Sequence, residues 1–174
     1  SSFLDLARLE SGRSSFQITK IDVAQLIKEC QTITLARASE HGIEFQVEIE
    51  PDLPPLEADV DKMKQVLLNL LSNAIKYNRT NGLIFIRAFV DDSEPKTLNI
   101  AIQDTGVGMS EEDQARLFER FFRSRNTERT TSGTGLGLSI CKRIVETHGG
   151  QIQVNSCLNS GTTFTVKIPL KTGS

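Results

Sequence analysis

Three cysteines in 174 residues, Cys30, Cys141 and Cys157, are odd in number and far apart, which excludes a disulfide framework. No CxxC pair and no histidine at metal-ligand spacing accompanies them, so a zinc site is excluded too, and a reducing compartment is expected. Nowhere does an apolar run reach the roughly 18 residues that a membrane-spanning helix needs. The leader of a signal peptide is also missing. A soluble, cytoplasmic chain is expected, compatible with a longer, membrane-anchored parent. An excess of one charge is lacking as well. Twenty Lys and Arg stand against 22 Asp and Glu, a net charge of −2 that offers no basic footprint, so no nucleic-acid partner is expected. Internal repeats and low-complexity tracts do not occur. Missing too are the GxxxxGK[ST] loop, the GxGxxG dinucleotide fingerprint, and the VAIK, HRD and DFG elements of the serine/threonine/tyrosine kinase fold.

What is present suits one compact domain with a short appendage. A chain of this length hides about 70% of its unfolded surface and needs no staples. The opening "SSFLDLARLESG" has helical spacing and stops at Gly12, too short to be stable alone, and reads as the end of a longer helix. "FQITKID" is extended. Asp22, with Gln25 three residues on, predicts the N-cap of a helix to about His41, whose buried face is Val23, Leu26, Ile27, Cys30, Ile33 and Ala38. "IEFQVEIE" alternates, with Ile43, Phe45, Val47 and Ile49 inward. "PDLPPLEADV" reads as a turn-rich connector to a second helix. "GLIFIRAFV" and "TLNIAIQ" predict a hairpin around residues 91–95, and Ser110 caps a short acidic-headed helix. A third main helix, "LGLSICKRIVETH", closes at Gly149–Gly150, and "QIQVNS" and "TTFTVKIPL" are alternating strands. Because the strands are polar at alternate residues, one sheet face meets water and helices cover the other. The expected fold is a two-layer α/β sandwich, largely antiparallel.

The second helix carries an oddity. In "QVLLNLLSNAIKYN" the apolar Met63, Val66, Leu67, Leu70, Leu71, Ala74 and Ile75 share one arc, at about 100° per residue. Asn69 and Asn73 lie four apart on the neighbouring stripe, beside Lys62, Gln65 and Lys76, with Tyr77 at its boundary. Asparagine is an indifferent helix former. The stripe is either a solvated face or a row of amide oxygens and an ammonium lining a polar ligand.

Two glycine-rich segments bear on that choice. "DTGVGM" follows a strand, and "GTGLGLS" opens a helix, where N–H groups and the helix dipole favour phosphate. Such glycines either free backbone N–H groups for a ligand or merely allow a turn and close packing. Asp104 ends an apolar strand just before the first segment. Its carboxylate is either a turn initiator or an acceptor for the exocyclic amine of adenine, which would repel the carbonyl of guanine.

Taken in order and spacing, "NLLSNAIKYN", "DTGVGM", "FERFF" and "GTGLGLS" resemble the N, G1, F and G2 boxes of sensor histidine kinases. These belong to the GHKL superfamily with gyrase-type and MutL-type ATPases. The resemblance covers about residues 20–170, and "FLDLARLESG" resembles the end of the second dimerisation helix that precedes this domain. It implies residues 1–15 as helix end and linker, 16–170 as the catalytic ATP-binding domain and 171–174 as a tail. The implied fold is a five-stranded mixed, mostly antiparallel sheet with three main helices on one face. Residue by residue, the resemblance puts Asn73 on Mg²⁺, Asn69 near metal and phosphates, Lys76 on phosphate and Tyr77 beside the nucleoside. Asp104 would bind adenine, with Gly106, Gly108 and Met109 shaping its pocket and Thr162 joining through water. Phe118 to Arg123, including Phe121, and the loop to Thr134 would form a mobile lid over ATP. Gly133, Thr134, Gly135, Leu136, Gly137 and Leu138 would carry that lid onto the triphosphate. Arg120, Arg123, Arg125 and Arg129 are candidates to neutralise the γ-phosphate.

Hydrolytic relatives hold a water-activating glutamate at the first polar position of the helix motif. Here that position is Asn69, an amide that cannot act as a general base. Phosphoryl transfer needs positioning and charge neutralisation, and an acceptor from elsewhere completes it. The two histidines, in "SEHG" and "ETHGG", each end a helix before glycine and are explained by capping; neither has the acidic, proline-containing sequence of a phosphoacceptor box. The expected function is therefore the catalytic fragment of a protein-histidine kinase of a two-component system. Its cofactors would be ATP and Mg²⁺. Its partners would be the histidine-bearing dimerisation helices of its parent and the receiver domain of a response regulator. The parent would be a homodimer and the fragment a monomer. The alternative is a non-catalytic GHKL nucleotide-binding regulatory module.

Overall fold

The computed structural model describes residues 16–92, 96–119 and 137–170. The terminal helix expected over 1–12 and the tail at 171–174 lie outside the described residues. Eleven elements follow: β1 (Ile18–Ile21), α1 (Val23–Glu40), β2 (Glu44–Ile49), β3 (Leu56–Asp59), α2 (Val60–Lys76), β4 (Leu83–Asp91), β5 (Thr97–Asp104), α3 (Glu111–Arg116), α4 (Gly137–Thr147), β6 (Gln151–Cys157) and β7 (Gly161–Pro169). Five strands form one sheet in the order β2-β4-β5-β7-β6. In it β2 and β4 run parallel; the other three pairings are antiparallel. The sheet is thus mixed and mostly antiparallel, as expected.

Helix starts follow the caps in the sequence. Asp22 accepts from the Gln25 amide at 3.2 Å, Asp59 from Lys62 at 3.1 Å and Ser110 from Asp113 at 3.1 Å. Every apolar residue of the α2 arc from Met63 to Ile75 that the sequence marks as core is buried. These residues join Ile84, Ile86, Ile100, Ile102, Phe164 and Val166 of the sheet and Ile140 and Ile144 of α4 in one core. Opposite, Arg87, Gln103 and Gln153 meet water. On that side Asn99 and Ala101 of the central strand β5 are buried as well, but the large apolar side chains gather on the other face, which sets the helices there.

Three expectations need correction. Ile33 is 59% exposed and Thr34 is buried instead, because 34 lies four residues from both Cys30 and Ala38 on the buried stripe. The Thr34 hydroxyl donates to the Cys30 carbonyl at 3.0 Å, so its burial leaves no orphan. Val47 is 39% exposed: β2 is an edge strand, and the helix layer does not reach over its middle. The connector "PDLPPLEADV" contains β3, which pairs antiparallel with β1 as a separate two-stranded sheet. The connector's three prolines, Pro51, Pro54 and Pro55, hide that strand from a reading by alternation.

The His148 ring caps its helix as expected, whereas at His41 the cap shown is the backbone amide. The His41 amide donates to the Ala38 carbonyl at 3.1 Å. His148 Nδ1 lies 2.8 Å from the Ile144 carbonyl, which can only accept, and its Nε2 accepts from the Asp59 amide at 3.1 Å. Its ring stacks on Phe16 at 4.8 Å, and the Gln17 amide donates to Asp59 Oδ2 at 2.9 Å. The start of the described chain is therefore fastened to the far ends of α2 and α4, away from their asparagine and glycine ends.

Candidate functional site

At the end of β5, Asp104 is buried, 5% exposed. Its Oδ1 accepts two backbone N–H groups, from Gly106 at 2.9 Å and from Thr162 at 3.1 Å. The first bond is the turn-initiating Asx contact, so that reading holds. It does not exhaust the carboxylate, because Oδ2 accepts nothing from the described residues. Burial pushes the carboxyl above the ordinary aspartate value, against the pull of the Gly106 and Thr162 amides. A carboxylate held this way is costly to ionise and gains from an external donor.

The glycines after it are steric necessities. A Cβ on Gly106 would stand 2.1 Å from the Tyr77 carbonyl oxygen, and the neighbouring Val107 amide donates to that same oxygen at 3.2 Å. Gly108 has φ +68°, and a Cβ there would lie 1.9 Å from the Cys157 carbonyl oxygen. The loop is thereby clamped between the end of α2 and the β6–β7 turn. Met109 donates its amide to Ser156 Oγ at 2.8 Å and leans on the core.

On α2, Asn69 and Asn73 are half-buried, on the margin of the apolar arc. The Asn73 amide makes no hydrogen bond to another described side chain, while the Asn69 side chain contacts the Cys141 thiol of α4. Tyr77 is the C-cap, and Lys76 Nζ stands 5.8 Å from its ring centroid. The position of a Cβ on Gly137 would be 3.9 Å from Asn69 Oδ1, so the N-terminus of α4 opens beside the asparagine stripe. Leu138 packs on the core behind it. Ser139 Oγ donates to the Phe118 carbonyl at 3.0 Å and Lys142 lies 5.6 Å from the Phe118 ring, tying α4 to the end of α3. Burial pushes the Cys30 thiol up to about 11 and Cys141 to about 12, so neither is a nucleophile.

Of the sequence-predicted residues, the structure brings Tyr77, Asp104, Gly106, Gly108, Met109 and Thr162 together at one end, and Asn69, Asn73 and Lys76 on the adjoining helix with Gly137 and Leu138. Phe121, Arg123, Gly133, Thr134, Gly135 and Leu136 lie outside the described residues, as does the rest of the expected lid beyond Glu119, with Arg120, Arg125 and Arg129. Sequence reasoning misses the polar frame around the site. Asn78 Nδ2 donates to the Leu83 carbonyl at 3.0 Å, the Leu83 amide to Thr105 Oγ1 at 3.0 Å and that hydroxyl to Asn78 Oδ1 at 2.9 Å. This ring locks the end of α2 to β4 and to the glycine loop. Asn78 ends the N motif and Thr105 follows Asp104 in the G1 motif, so both stand within motifs whose spacing gives no hint that they bond to each other.

An α/β site with a buried carboxylate at one end and an amide-lined helix facing a helix N-terminus suits a purine nucleotide. Among the described residues no helix is long and apolar enough to cross a membrane. The family described as "Histidine kinase-, DNA gyrase B-, and HSP90-like ATPase" matches residues 58–172. The "Drug sensory protein A" of Synechocystis sp. is 37% identical over 168 residues, covering 92% of this chain and 25% of that protein. The chain thus spans about a quarter of the length of the curated relatives it matches. Among solved structures, full-length ShkA in complex with AMPPNP superposes with a TM-score of 0.86 at 29% identity, over 99% of this chain and 35% of that one. The catalytic domain of histidine kinase ThkA gives 0.75 at 32% identity, over 88% of this chain and 98% of that one, and ThkA is also solved in complex with the response regulator protein TrrA. The chain belongs to the histidine kinase-, gyrase B- and HSP90-like ATPase family, as an ATP-binding domain of the histidine kinase catalytic type.

Proposed function

We propose that this domain binds ATP together with Mg²⁺ and donates the γ-phosphoryl group to a histidine on dimerisation helices outside this chain. The observation that carries the reading is Asn69. It occupies the position where hydrolytic relatives hold a glutamate, and it faces the opening of α4. An amide orients and cannot deprotonate water, so the site positions ATP without an internal route to hydrolysis.

Asp104 Oδ2 accepts the adenine amine, with Thr162 beside it. Gly106, Gly108, Met109 and Tyr77 shape the base pocket. Asn69 and Lys76 meet the phosphates, the α4 N-terminus with Gly137 and Leu138 lies over them, and Gly133 to Leu136, Phe121 and Arg123 complete the lid side. Among the described residues no three His, Cys, Asp or Glu side chains gather to hold an ion. The Asn73 amide, unengaged among the described side chains, would hold a divalent ion through one oxygen, and an oxygen donor of this kind suits Mg²⁺. Bound Mg²⁺ supplies neutralisation of phosphate charge. The phosphorylated histidine then passes its group to a response-regulator receiver domain, a partner class supported by the ThkA–TrrA complex. Two copies of the parent supply the dimerisation helices.

The test is turnover of the isolated chain. It binds ATP, prefers it to GTP and hydrolyses it very slowly. Rapid, steady phosphate release without any acceptor is incompatible with the reading.

A further inference from the structure

Ser156 lies on β6, outside every motif that points to the nucleotide, yet its hydroxyl touches two residues of the base pocket. Three polar atoms surround its Oγ: the Met109 amide nitrogen at 2.8 Å, the Gly161 carbonyl oxygen at 3.1 Å and Thr162 Oγ1 at 2.8 Å. A hydroxyl has one proton and two lone pairs. The Met109 N–H can only donate and the Gly161 carbonyl can only accept. All three contacts are satisfied together in one way: Ser156 donates to Gly161 and accepts from both Met109 and Thr162. The Thr162 proton is then committed to Ser156, and its oxygen offers lone pairs alone to any further partner.

Thr162 is 7% exposed and stands beside Asp104. Gln103 pairs with Thr163 and Ile102 with Phe164, so Asp104 and Thr162 are opposite each other and share the helix-covered face of the sheet. The Thr162 amide donates to Asp104 Oδ1 at 3.1 Å, which brings the two side chains to one place. The carbonyl of Ser156 accepts from Gln114 Nε2 at 3.0 Å, which steadies the strand at that point.

We propose that Ser156 is a positioning residue that sets base preference, by fixing the Thr162 hydroxyl as an acceptor next to the Asp104 carboxylate. It rests on the reading of Asp104 as the base acceptor. Two neighbouring acceptors favour an amino-bearing purine and repel a carbonyl at the same position. Without Ser156, the Thr162 proton is free to turn toward the pocket and donate to that carbonyl. Ser156 acts only through Thr162 and does not touch the nucleotide.

The test compares ATP and GTP affinities by competition binding for the wild-type chain, Ser156→Ala, Ser156→Thr, Thr162→Val and the double variant Ser156→Ala/Thr162→Val. Wild type prefers ATP. Ser156→Ala lowers the ATP-to-GTP affinity ratio about tenfold, the scale of one hydrogen bond, and Ser156→Thr preserves the ratio. On the Thr162→Val background, Ser156→Ala changes the ratio no further. A milder change, Ser156→Cys, whose thiol is a weak donor and acceptor, lowers the ratio in the same direction and covers the case of an unfolded alanine variant. An unchanged ratio in Ser156→Ala, or equal loss of both nucleotides, overturns the proposal and leaves Ser156 a support for the Met109 loop. A wild-type chain indifferent to the base overturns the Asp104 reading itself, a failure seen before any Ser156 variant is made.

Discussion

The Thr162 amide donates to Asp104 Oδ1 at 3.1 Å, and this bond decides what the carboxylate can do. With Gly106 on the same oxygen at 2.9 Å, one half of the group is structural and the other half is left for a ligand. The division makes Asp104→Asn a selective probe. The amide carbonyl can replace Oδ1 for both backbone donors, while the NH₂ faces the pocket in place of Oδ2. The variant should fold, bind ATP more weakly and prefer it less over GTP, by about 1–3 kcal/mol, the cost of leaving a buried polar group without its partner. Calorimetric titration with both nucleotides checks it; an unaltered ATP affinity would place the base elsewhere.

The same carboxyl gives a pH dependence with a defined sign. Its folded-state pKa is raised above the ordinary 3.8, chiefly by burial. The stability it contributes is fully present below that ordinary value and is lost as pH rises through the raised one, because ionisation then takes place in a buried site. Relative to Asp104→Asn, the unliganded wild type should therefore lose stability as pH climbs through this window. ATP affinity should run the other way, falling as pH falls, since the adenine amine needs the ionised acceptor. Melting temperature and Kd against pH for both proteins test the pair. Parallel curves for the two would refute the linkage.

Gly106→Ala isolates the clamp on α2. The added Cβ would stand 2.1 Å from the Tyr77 carbonyl oxygen, a backbone atom that cannot swing aside. The loop or the helix end must move, at about 1–3 kcal/mol for an overpacked site. Urea unfolding should show the loss. Nucleotide binding should fall further than stability, because Asp104 and the asparagine stripe are held apart by this clamp. Wild-type stability would mean that the loop yields freely.

Asn73→Ala should weaken binding of ATP with Mg²⁺ much more than binding of adenosine. The amide is half-buried and unengaged among the described side chains, so its removal leaves no orphan. Titrating both ligands with and without Mg²⁺ is the measurement. Equal losses for both ligands would reject a metal role.

How much of this is legible in the sequence depends on the kind of signal. The α2 arc, the caps at Asp22 and Ser110 and the alternation of β4, β6 and β7 are local, and each element stands where its pattern puts it. Strand β3 is hidden because its pairing with β1 joins residues some forty positions apart across three prolines. Val47 is misplaced for a related reason: which apolar residue is covered at the edge of a layer depends on the neighbouring layer, which spacing does not encode. Ile33 differs, because helical spacing favours position 34 on the Cys30–Ala38 stripe and only the polar side chain of Thr34 hides it. The site divides likewise. Asn69, Asn73 and Asp104 carry chemistry within recognisable motifs. Asn78 and Thr105, in the same motifs, and Ser156, outside them, hold that chemistry in place through hydrogen bonds between distant segments that no local pattern shows.

The central claim is that this domain passes phosphate to a histidine it does not itself contain. The direct measurement mixes the chain, γ-labelled ATP and Mg²⁺ with separately purified dimerisation helices of its parent, and follows the label. The label is predicted on the helices' histidine, lost in acid and stable in base as a phosphoramidate is. Transfer should be slower than in the tethered enzyme, where the linkage raises effective concentration. Acid-stable label on the chain itself, or unlabelled helices beside brisk ATP hydrolysis, would contradict the account.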